Sequence, residues 1–346
     1  AFPTLVLHIG AGKTGSTSIQ FTLRRIPQVL EAQGTGYVGL MLENVPGATE
    51  HAWCAEGAPQ KFFRAPDREA TNEEVYQTIL AELKRQGENG ARQVIWSNEA
   101  FLTRHNRVLG IIEQLARDGV PIRPIVYVRR HDKWARSAYV QFGLKFKTYT
   151  GPLRNFRDWA AHQNIAYTKD LDVWRAAFPD QLEIYNFDAI GDVATHFMGL
   201  VGLTDIEVVR ANDSPSNALL AAWSVFNGRQ HDQTLPAAFT RLAAPLQVLQ
   251  QKGEPVPPLD ELLPDTSDLM AIQETYRSDL EAVNALLVAQ GQPPMDYGML
   301  DEKSRDVSTW EIDRMLFQMV FSLQRQVLEL QERLEAVEQT PGANRR

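Results

Sequence analysis

Cysteine is almost absent from this chain of 346 residues, since Cys54 is its single cysteine. One cysteine excludes a disulfide within the chain and is typical of proteins in a reducing compartment, so we expect a cytoplasmic location. No apolar run approaches the roughly 20 residues that a membrane-spanning helix needs, so no membrane span is expected. Ala1-Phe2-Pro3 leads directly into a strand-like run, so we expect that these first residues are not a secretion signal.

Metal-binding and hydrolase motifs are also missing. The chain has no His-Glu-x-x-His, no pair of cysteines and no Gly-x-Ser-x-Gly. We therefore expect neither a metal site nor a serine hydrolase. The net charge of −8 makes nucleic acid a poor partner.

Positive charge is nevertheless concentrated in one stretch. Arg123 to Arg157 holds nine basic residues and a single acid, Asp132. Such a concentration suits a multiply anionic ligand. Its outer members either attract an anionic acceptor or form an ordinary solvated face; they are Lys145, Lys147, Arg154 and Arg157.

A glycine-rich turn joins a strand-like run to a helix-like run near the N-terminus. Leu5 to Ile9 is apolar, and from Ser16 onward apolar residues recur at helical spacing. Glycines let the backbone approach an anion, and the start of a helix presents free N–H groups to it. We therefore predict a phosphate-binding loop. Its contact residues are expected to be Gly12, Lys13, Thr14, Gly15, Ser16 and Thr17.

This loop differs from a Walker A box. In that motif Lys directly follows the second glycine and precedes Ser or Thr. Here Ser16 follows Gly15, and Lys13 lies two residues before that glycine. A nucleoside triphosphatase also needs Mg²⁺ held by the Ser or Thr and by a downstream carboxylate. A P-loop kinase is therefore only an alternative interpretation.

A second stretch, Tyr127 to Gln141, also has the features of an anion site. The residues before it predict a buried strand, and a helix is expected just after it. Arg129 follows that strand, and Ser137 lies eight residues further on, near the second helical turn. Both side chains can then hold one phosphate. Arg130 is either an anchor for the acceptor or a structural ion-pair partner.

Together the two stretches resemble the nucleotide-binding motifs of sulfotransferases. The segment Lys13 to Thr17 is similar to their 5′-phosphosulfate loop, Pro-Lys-Ser-Gly-Thr-Thr, with Gly12 in place of the proline. The segment Arg129 to Ser137 is similar to their 3′-phosphate motif. The resemblance is greatest to bacterial sulfotransferase-like proteins and covers residues 4 to about 220. The Arg-Lys-Gly segment near the C-terminus of the animal cytosolic enzymes has no clear counterpart here.

This resemblance implies transfer of a sulfuryl group from 3′-phosphoadenosine 5′-phosphosulfate (PAPS) to a hydroxyl or amine. The product would be adenosine 3′,5′-bisphosphate (PAP), and no metal is required. The acceptor implied by the bacterial relatives is a glycan. Lys13 is our candidate for stabilising the leaving phosphate.

A general base is expected at the carboxyl end of a strand beside the phosphate loop. Glu99 follows the strand-like run Gln93 to Ser97, where sulfotransferase-like proteins often carry Ser-Ser-Glu. His105 is the alternative base. Glu99 could instead cap the following helix as an N-terminal acid.

The order of the elements predicts an α/β fold with three layers, α/β/α, a central parallel sheet and a phosphate loop. Strands are expected at Thr4–Ile9, Gln93–Ser97, Ile122–Val128 and Leu182–Phe187, and a further strand-like run at Ile206–Val209. Helices are expected at Ser16–Gln33, Asn72–Gly87, Val108–Arg117, Lys133–Leu144 and Val193–Val201.

We divide the chain into three parts by sequence. Residues 1–220 form the nucleotide-binding core, and residues 221–305 a helical continuation on the substrate side. Residues 306–346 form a long amphipathic helix with a frayed tail. The irregular stretch Gly34 to Ala70 carries Trp53, Phe62 and Phe63 and is interpreted as an acceptor-side lid.

Apolar residues in the C-terminal part follow a heptad pattern. Leu316, Leu323, Leu330 and Val337 are seven apart, and Val320, Val327 and Leu334 lie four residues after the first three of them. A helix over residues 308–339 is expected either to pair with a second copy as a coiled coil or to lie on its own domain.

Three functional classes follow from these features. The first is a PAPS-dependent sulfotransferase. The second is a P-loop kinase of small molecules that uses ATP and Mg²⁺. The third is a non-catalytic nucleotide-binding scaffold that assembles through its C-terminal helix.

Overall fold

A five-stranded sheet lies at the centre of the computed structural model, which describes residues 1–54, 60–209, 217–228, 230–234, 259–298, 300 and 306–338. Its strands are Thr4–His8 (β1), Thr35–Tyr37 (β2), Gln93–Ser97 (β3), Ile122–Val128 (β4) and Glu183–Asn186 (β5). They are arranged in the order β2-β3-β1-β4-β5, and every pairing is parallel. The predicted bounds of β3 and β4 are confirmed.

The described residues also form helices. They are Ser16–Arg25 (α1), Pro27–Ala32 (α2), Gln60–Arg64 (α3), Arg68–Glu88 (α4), His105–Arg117 (α5), His131–Tyr139 (α6), Phe156–Ala160 (α7), Thr168–Ala177 (α8), Val193–Leu200 (α9), Asn217–Gly228 (α10), Leu259–Leu262 (α11), Thr266–Thr275 (α12), Arg277–Ala289 (α13) and Thr309–Glu338 (α14). No helix of the described part of the chain is long and apolar enough to cross a membrane.

Both faces of the sheet are buried, as expected for parallel strands with period-two side chains. On one face, alternate strand residues such as Leu5 and Trp96 pack with α4, α5, α8 and α13. On the other face, their neighbours, such as Val6 and Ile95, pack with α1 and α9. The predicted three-layer α/β/α fold is confirmed.

The chain forms two compact units, each discontinuous in sequence. Unit 1 comprises Ala1–Trp134, Asn164–Asp213 and Ile272–Met299 and contains the sheet. Unit 2 comprises Ala135–Gln163, Ser214–Ala271 and Leu300–Arg346. The division into 1–220, 221–305 and 306–346 follows chain order and stays a prediction; the expected frayed tail, residues 339–346, lies outside the described residues.

The first predicted helix, Ser16–Gln33, is in fact two helices. Helix α1 ends at Arg25, and α2 begins at Pro27. Proline has no N–H to continue the helical ladder and disfavours the helical conformation in the residue before it. Ile26 accordingly leaves the helical region, with φ −121° and ψ 36°.

Two other segments differ from their predictions. Helix α6 begins at His131, two residues before the predicted start, and a π-helical segment follows it at Val140–Lys145. The run Ile206–Val209 does not form a strand; Ile206 and Val208 instead pack against the core on the α1 side. Its apolar residues are therefore half-buried without strand pairing, and the Val209 N–H donates to Thr22 Oγ1 at 2.9 Å.

The predicted acceptor-side lid contributes to the core. Trp53, Phe62 and Phe63 are buried in the cluster on the α4 side of the sheet. The stretch also contains β2, which has only three residues, one of them Gly36. So short a strand, with a residue of poor β-propensity, gives a weak sequence signal. These aromatic side chains are thus not exposed on a lid.

A buried carboxylate attaches α13 to the end of the sheet within unit 1. Asp279 Oδ2 lies 2.8 Å from His131 Nε2 and accepts a 3.0 Å hydrogen bond from the Tyr167 N–H. Both the N–H and the hydroxyl of Thr168 donate to Oδ1. Tyr276 stacks on the His131 ring at 5.2 Å. Burial alone would raise the pKa of Asp279, but the hydrogen bonds lower it to about 2.

We predict that Asp279→Asn destabilises the protein at neutral pH and reduces its sensitivity to acid. Because the folded-state pKa is below the ordinary value, the carboxylate contributes stability above about pH 4 that is lost as the pH falls towards 2. A shift of this size corresponds to about 2 kcal/mol. Urea unfolding of both proteins at several pH values measures this contribution to the free energy of unfolding. Glu274→Gln, which removes an exposed ion pair with Arg277, should change little, and equal effects of the two variants would contradict the prediction.

Candidate functional site

The phosphate loop follows β1 at the centre of the sheet, where the strand order changes direction. Open parallel sheets bind ligands at such a position, outside the carboxyl ends of the strands. Gly10, Lys13 and Gly15 all have left-handed backbones, with φ of 73°, 66° and 77°. Lysine rarely adopts this conformation, so the backbone at Lys13 is strained. Strain of this kind persists only where the surroundings hold it.

Two side chains from the second stretch hold this loop. Trp134 Nε1 donates to the Gly12 carbonyl oxygen at 2.9 Å. An Nη1 hydrogen of Arg129 is donated to the Lys13 carbonyl oxygen at 3.0 Å. The two stretches that the sequence analysis singled out therefore meet, although Arg129 and Lys13 are 116 positions apart.

The loop also carries buried polar groups that no other described residue satisfies. Thr14 Oγ1 and Ser16 Oγ are buried and have no hydrogen-bond partner among the described residues. Helix α1 has no acidic residue in its first turn and no side-chain cap. Buried polar groups without partners are costly, and helix starts attract anions. An oxyanion at the loop would satisfy both requirements.

Two further contacts hold Arg129. Its guanidinium lies over the Phe187 ring, 5.1 Å from the centroid, and its carbonyl oxygen accepts a 2.8 Å hydrogen bond from Tyr167. Its Nε is buried without a hydrogen-bond partner in the described structure, because Asp188 Oδ1 is 4.0 Å away. Burial lowers the pKa of Arg129 and the Asp188 charge opposes this. The guanidinium is thus a largely desolvated cation with an unused donor.

Asp188 balances the positive charge beside Arg129. Its Oδ1 pairs with Lys133 Nζ at 3.2 Å, and its Oδ2 accepts the Arg130 N–H at 2.8 Å. The Arg130 side chain turns away to form a buried two-bond pair with Asp132, at 2.7 and 3.0 Å. Of the two roles left open for Arg130, the structural ion pair is the one observed.

Ser137 lies in the second turn of α6 and is half-buried. It belongs to unit 2, whereas Arg129 belongs to unit 1. The pairing of Arg129 with Ser137 on one phosphate stays a prediction.

Glu99 lies directly beside the phosphate loop. The backbone continues to pair β1 with β3 beyond the strands, since Asn98 N–H donates to the His8 carbonyl at 3.0 Å. Contact is so close that a Cβ added to Gly10 would lie 2.2 Å from Glu99 Cα. The half-buried Glu99 carboxylate accepts a 2.9 Å hydrogen bond from Gln20 Nε2.

A buried chain of polar groups continues from Glu99 into the sheet. Gln20 Nε2 also lies 3.3 Å from Ser97 Oγ, which in turn lies 2.8 Å from His8 Nδ1. Burial lowers the pKa of His8 to about 4, so its imidazole is neutral at pH 7. His8 is therefore a buried core histidine held by a hydrogen bond to Ser97.

His105, the alternative base, is the first residue of α5. Its Nε2 forms an ion-pair contact of 3.2 Å with Asp170 Oδ1. Burial raises the pKa of Asp170, and His105 opposes this effect. The role of either Glu99 or His105 as a base stays a prediction.

The outer basic residues interact within unit 2. Lys145 lies over the Trp223 ring at 4.8 Å, and Arg154 over the Tyr149 ring at 4.5 Å. Lys147 is fully buried and donates to the carbonyls of residues 230–232, while Arg157 pairs with Asp268 at 2.9 Å. Internal interactions therefore account for much of this local positive charge.

Three residues of this site, Gln20, Trp134 and Asp188, were not among the predicted ones. Gln20 is polar on the buried side of α1, next to Ile19 and Leu23, and a polar residue on an apolar stripe is a usable signal. Trp134 lies inside the second motif, but nothing in the sequence reveals that its N–H reaches the loop. Asp188 lies in a 3₁₀ turn after β5 and gives no signal. Within the described residues, no group of three or more His, Cys, Asp and Glu side chains is placed to hold a metal ion.

No family model matches this chain, and no curated protein matches it. Among solved structures, a tunicamycin resistance protein from Deinococcus radiodurans is similar over 61% of this chain and 100% of that one, with 15% identity and a TM-score of 0.31. Retinol dehydratase with androsterone and inactive cofactor PAP is similar over 95% of this chain and 81% of that one, with 11% identity and a TM-score of 0.23. The complex of retinol dehydratase with retinol and PAP is similar over 92% of this chain and 80% of that one, with 12% identity and a TM-score of 0.23. Similarity this remote carries no argument about function.

We predict that two glycine substitutions in the loop differ strongly in their effect on stability. Gly10→Ala should destabilise the protein by about 2 kcal/mol or more, since it combines a φ of 73° with a backbone clash at Glu99. Gly12→Ala should be nearly neutral, because nothing lies within 4 Å of its added Cβ and its φ is ordinary. Urea denaturation of both variants is the measurement. A destabilisation by Gly12→Ala as large as that by Gly10→Ala would contradict this loop geometry.

Proposed function

We propose that this protein is a PAPS-dependent sulfotransferase that acts on a hydroxylated acceptor, with a glycan favoured. The observation that supports this most is the hydrogen bond from Arg129 to the Lys13 carbonyl oxygen. It joins the segment that resembles a 5′-phosphosulfate loop to the segment that resembles a 3′-phosphate motif. A nucleotide with phosphates at both ends fits two neighbouring anion sites better than a nucleotide with one phosphate chain does.

The phosphate loop would hold the 5′ end of the donor. Thr14 Oγ1 and Ser16 Oγ are the buried hydroxyls that lack partners in the described structure. The Gly12 and Gly15 backbone belongs to the same turn, and Thr17 lies in the first turn of α1. Lys13 would supply positive charge where the leaving phosphate develops negative charge. Such donors act without rearrangement, because Trp134 and Arg129 already fix the loop.

Arg129 would serve the other phosphate together with Ser137. Its unused Nε and its burial favour an anion, since a charged partner offsets the cost of desolvating the guanidinium. Asp188 keeps the local charge balanced until that anion binds.

Glu99 would take the proton of the acceptor hydroxyl. Its carboxylate is fixed by Gln20 and lies next to the loop that would hold the donor. Sulfuryl transfer needs the acceptor oxygen in line with the leaving group, so a base must stand at this edge of the sheet. No metal ion is needed in this scheme.

Isothermal titration of the purified protein with PAP, beside ATP with Mg²⁺ at matched salt, tests the proposal. We expect tight binding of PAP and weak binding of ATP. A preference for ATP would favour the kinase, and binding of neither would favour the scaffold; both results would overturn the sulfotransferase.

Arg129 variants locate that binding. Arg129→Ala should weaken PAP binding by about 2 kcal/mol, roughly 30-fold, and Arg129→Lys should weaken it less, because it keeps the charge without the planar fork. Arg117→Ala is the matched control, since it removes an exposed arginine from the end of α5. Equal effects of Arg129→Ala and Arg117→Ala would mean that only the net charge matters.

Glu99→Gln should spare PAP binding and abolish turnover. The amide keeps the shape of the side chain but cannot accept a proton from the acceptor. Release of PAP from PAPS in the presence of a panel of hydroxylated acceptors measures turnover, and titration measures binding. His105→Asn is the comparison variant. Normal turnover by Glu99→Gln together with loss in His105→Asn would identify His105 as the base.

A further inference from the structure

Helix α14 is long, and most of its length is exposed to solvent. It covers Thr309–Glu338, and α10 packs against it within unit 2. Asn217 of α10 also donates to the Asp306 carbonyl just before the helix, at 2.8 Å. From residue 324 to 334 every side chain is exposed. This stretch does not lie on its own domain, which was one of the two predicted arrangements.

The exposed stretch carries an apolar seam. Val320, Val327 and Leu334 take the a positions of a heptad repeat, and Leu316, Leu323 and Leu330 take the d positions. All of these except the half-buried Leu323 are about half exposed or more. A lone helix gains nothing from an apolar stripe in water, since helical stability in proteins comes mainly from burying such a face.

The composition of the seam identifies the kind of partner. A β-branched residue at a with Leu at d favours two parallel strands, and here Val320 and Val327 at a alternate with Leu at d. Over this stretch the flanking e positions are Gln324 and Gln331, and the flanking g positions are Gln326 and Arg333.

These flanking residues do not repel a second copy. In a parallel pair, Gln326 of one copy faces Gln331 of the other, so the contact is neutral. Opposite charges at e and g select a different helix as the partner in many coiled coils. The glutamines carry no charge and therefore do not favour a different helix. The charges lie elsewhere on the helix; Arg325, for example, pairs with Glu329 of the same helix at 3.9 Å.

We propose that α14 pairs in parallel with α14 of a second copy of this chain, through the seam from Leu316 to Leu334. The protein is then a homodimer with a two-stranded coiled coil. This inference does not depend on the proposed function.

Sedimentation equilibrium of the full chain tests the dimer. The expected mass is twice 39.0 kDa, and Leu330→Asp should reduce it to the monomer mass by placing charges opposite each other in the seam. Leu328→Asp is the matched control: Leu328 is 54% exposed and Leu330 55%, but Leu328 lies outside the seam. A monomeric wild type, or equal dissociation by the two variants, overturns the proposal.

Disulfide cross-linking tests whether the two α14 helices are parallel. It also tests the dimer independently of Leu330→Asp, which could lose the dimer by unfolding. Leu330→Cys should form a covalent dimer under mild oxidation, since a parallel pair in register places the two d residues opposite each other. Glu329→Cys, on the outer side, should not. The native Cys54 is buried, 2% exposed, and should not compete. Failure of Leu330→Cys to cross-link faster than Glu329→Cys overturns the parallel arrangement.

Discussion

The hydrogen bond from Arg129 to the Lys13 carbonyl oxygen is the constraint on which the candidate site depends. Lys13 has a left-handed backbone that lysine rarely adopts, so the loop needs support from outside. Arg129 and Trp134 supply it from the residues that follow β4. Arg129, which would bind one phosphate of the nucleotide, therefore also shapes the loop that would bind the other phosphate. The two halves of the site are thus not independent.

The buried position of the Arg129 guanidinium is tolerated because neighbouring groups balance its charge and cover its surface. A buried guanidinium is costly unless it has partners. Phe187 covers its face, Asp188 lies at ion-pair distance, and Tyr167 fixes its backbone. Within the described part of the chain, the Arg129 Nε donor and the hydroxyls of Thr14 and Ser16 have no hydrogen-bond partner. The described contacts thus fix the loop and Arg129, while these three polar groups keep unused hydrogen-bonding capacity, which is the pattern expected of a preorganised anion site.

The sheet brings the remaining candidate to the same edge. Parallel pairing of β1 with β3 places the residues after both strands side by side, so Glu99 touches Gly10. Gln20 comes from the helix that begins at the phosphate loop and holds the Glu99 carboxylate. The position of Glu99 therefore follows from the strand order. Its orientation follows from α1, the helix whose start would bind the donor.

Local pattern alone determined much of this protein. The spacing of apolar residues predicted β3, β4 and the C-terminal helix nearly to the residue, and the glycines predicted the turn between β1 and α1, because these features depend on neighbours in the chain. Only the tertiary structure decided that Arg130 turns to Asp132, that Trp53, Phe62 and Phe63 are core residues, and that Trp134 and Gln20 support the site. These contacts join residues from different elements or depend on burial, and burial is fixed by the packing of the whole sheet and its helices.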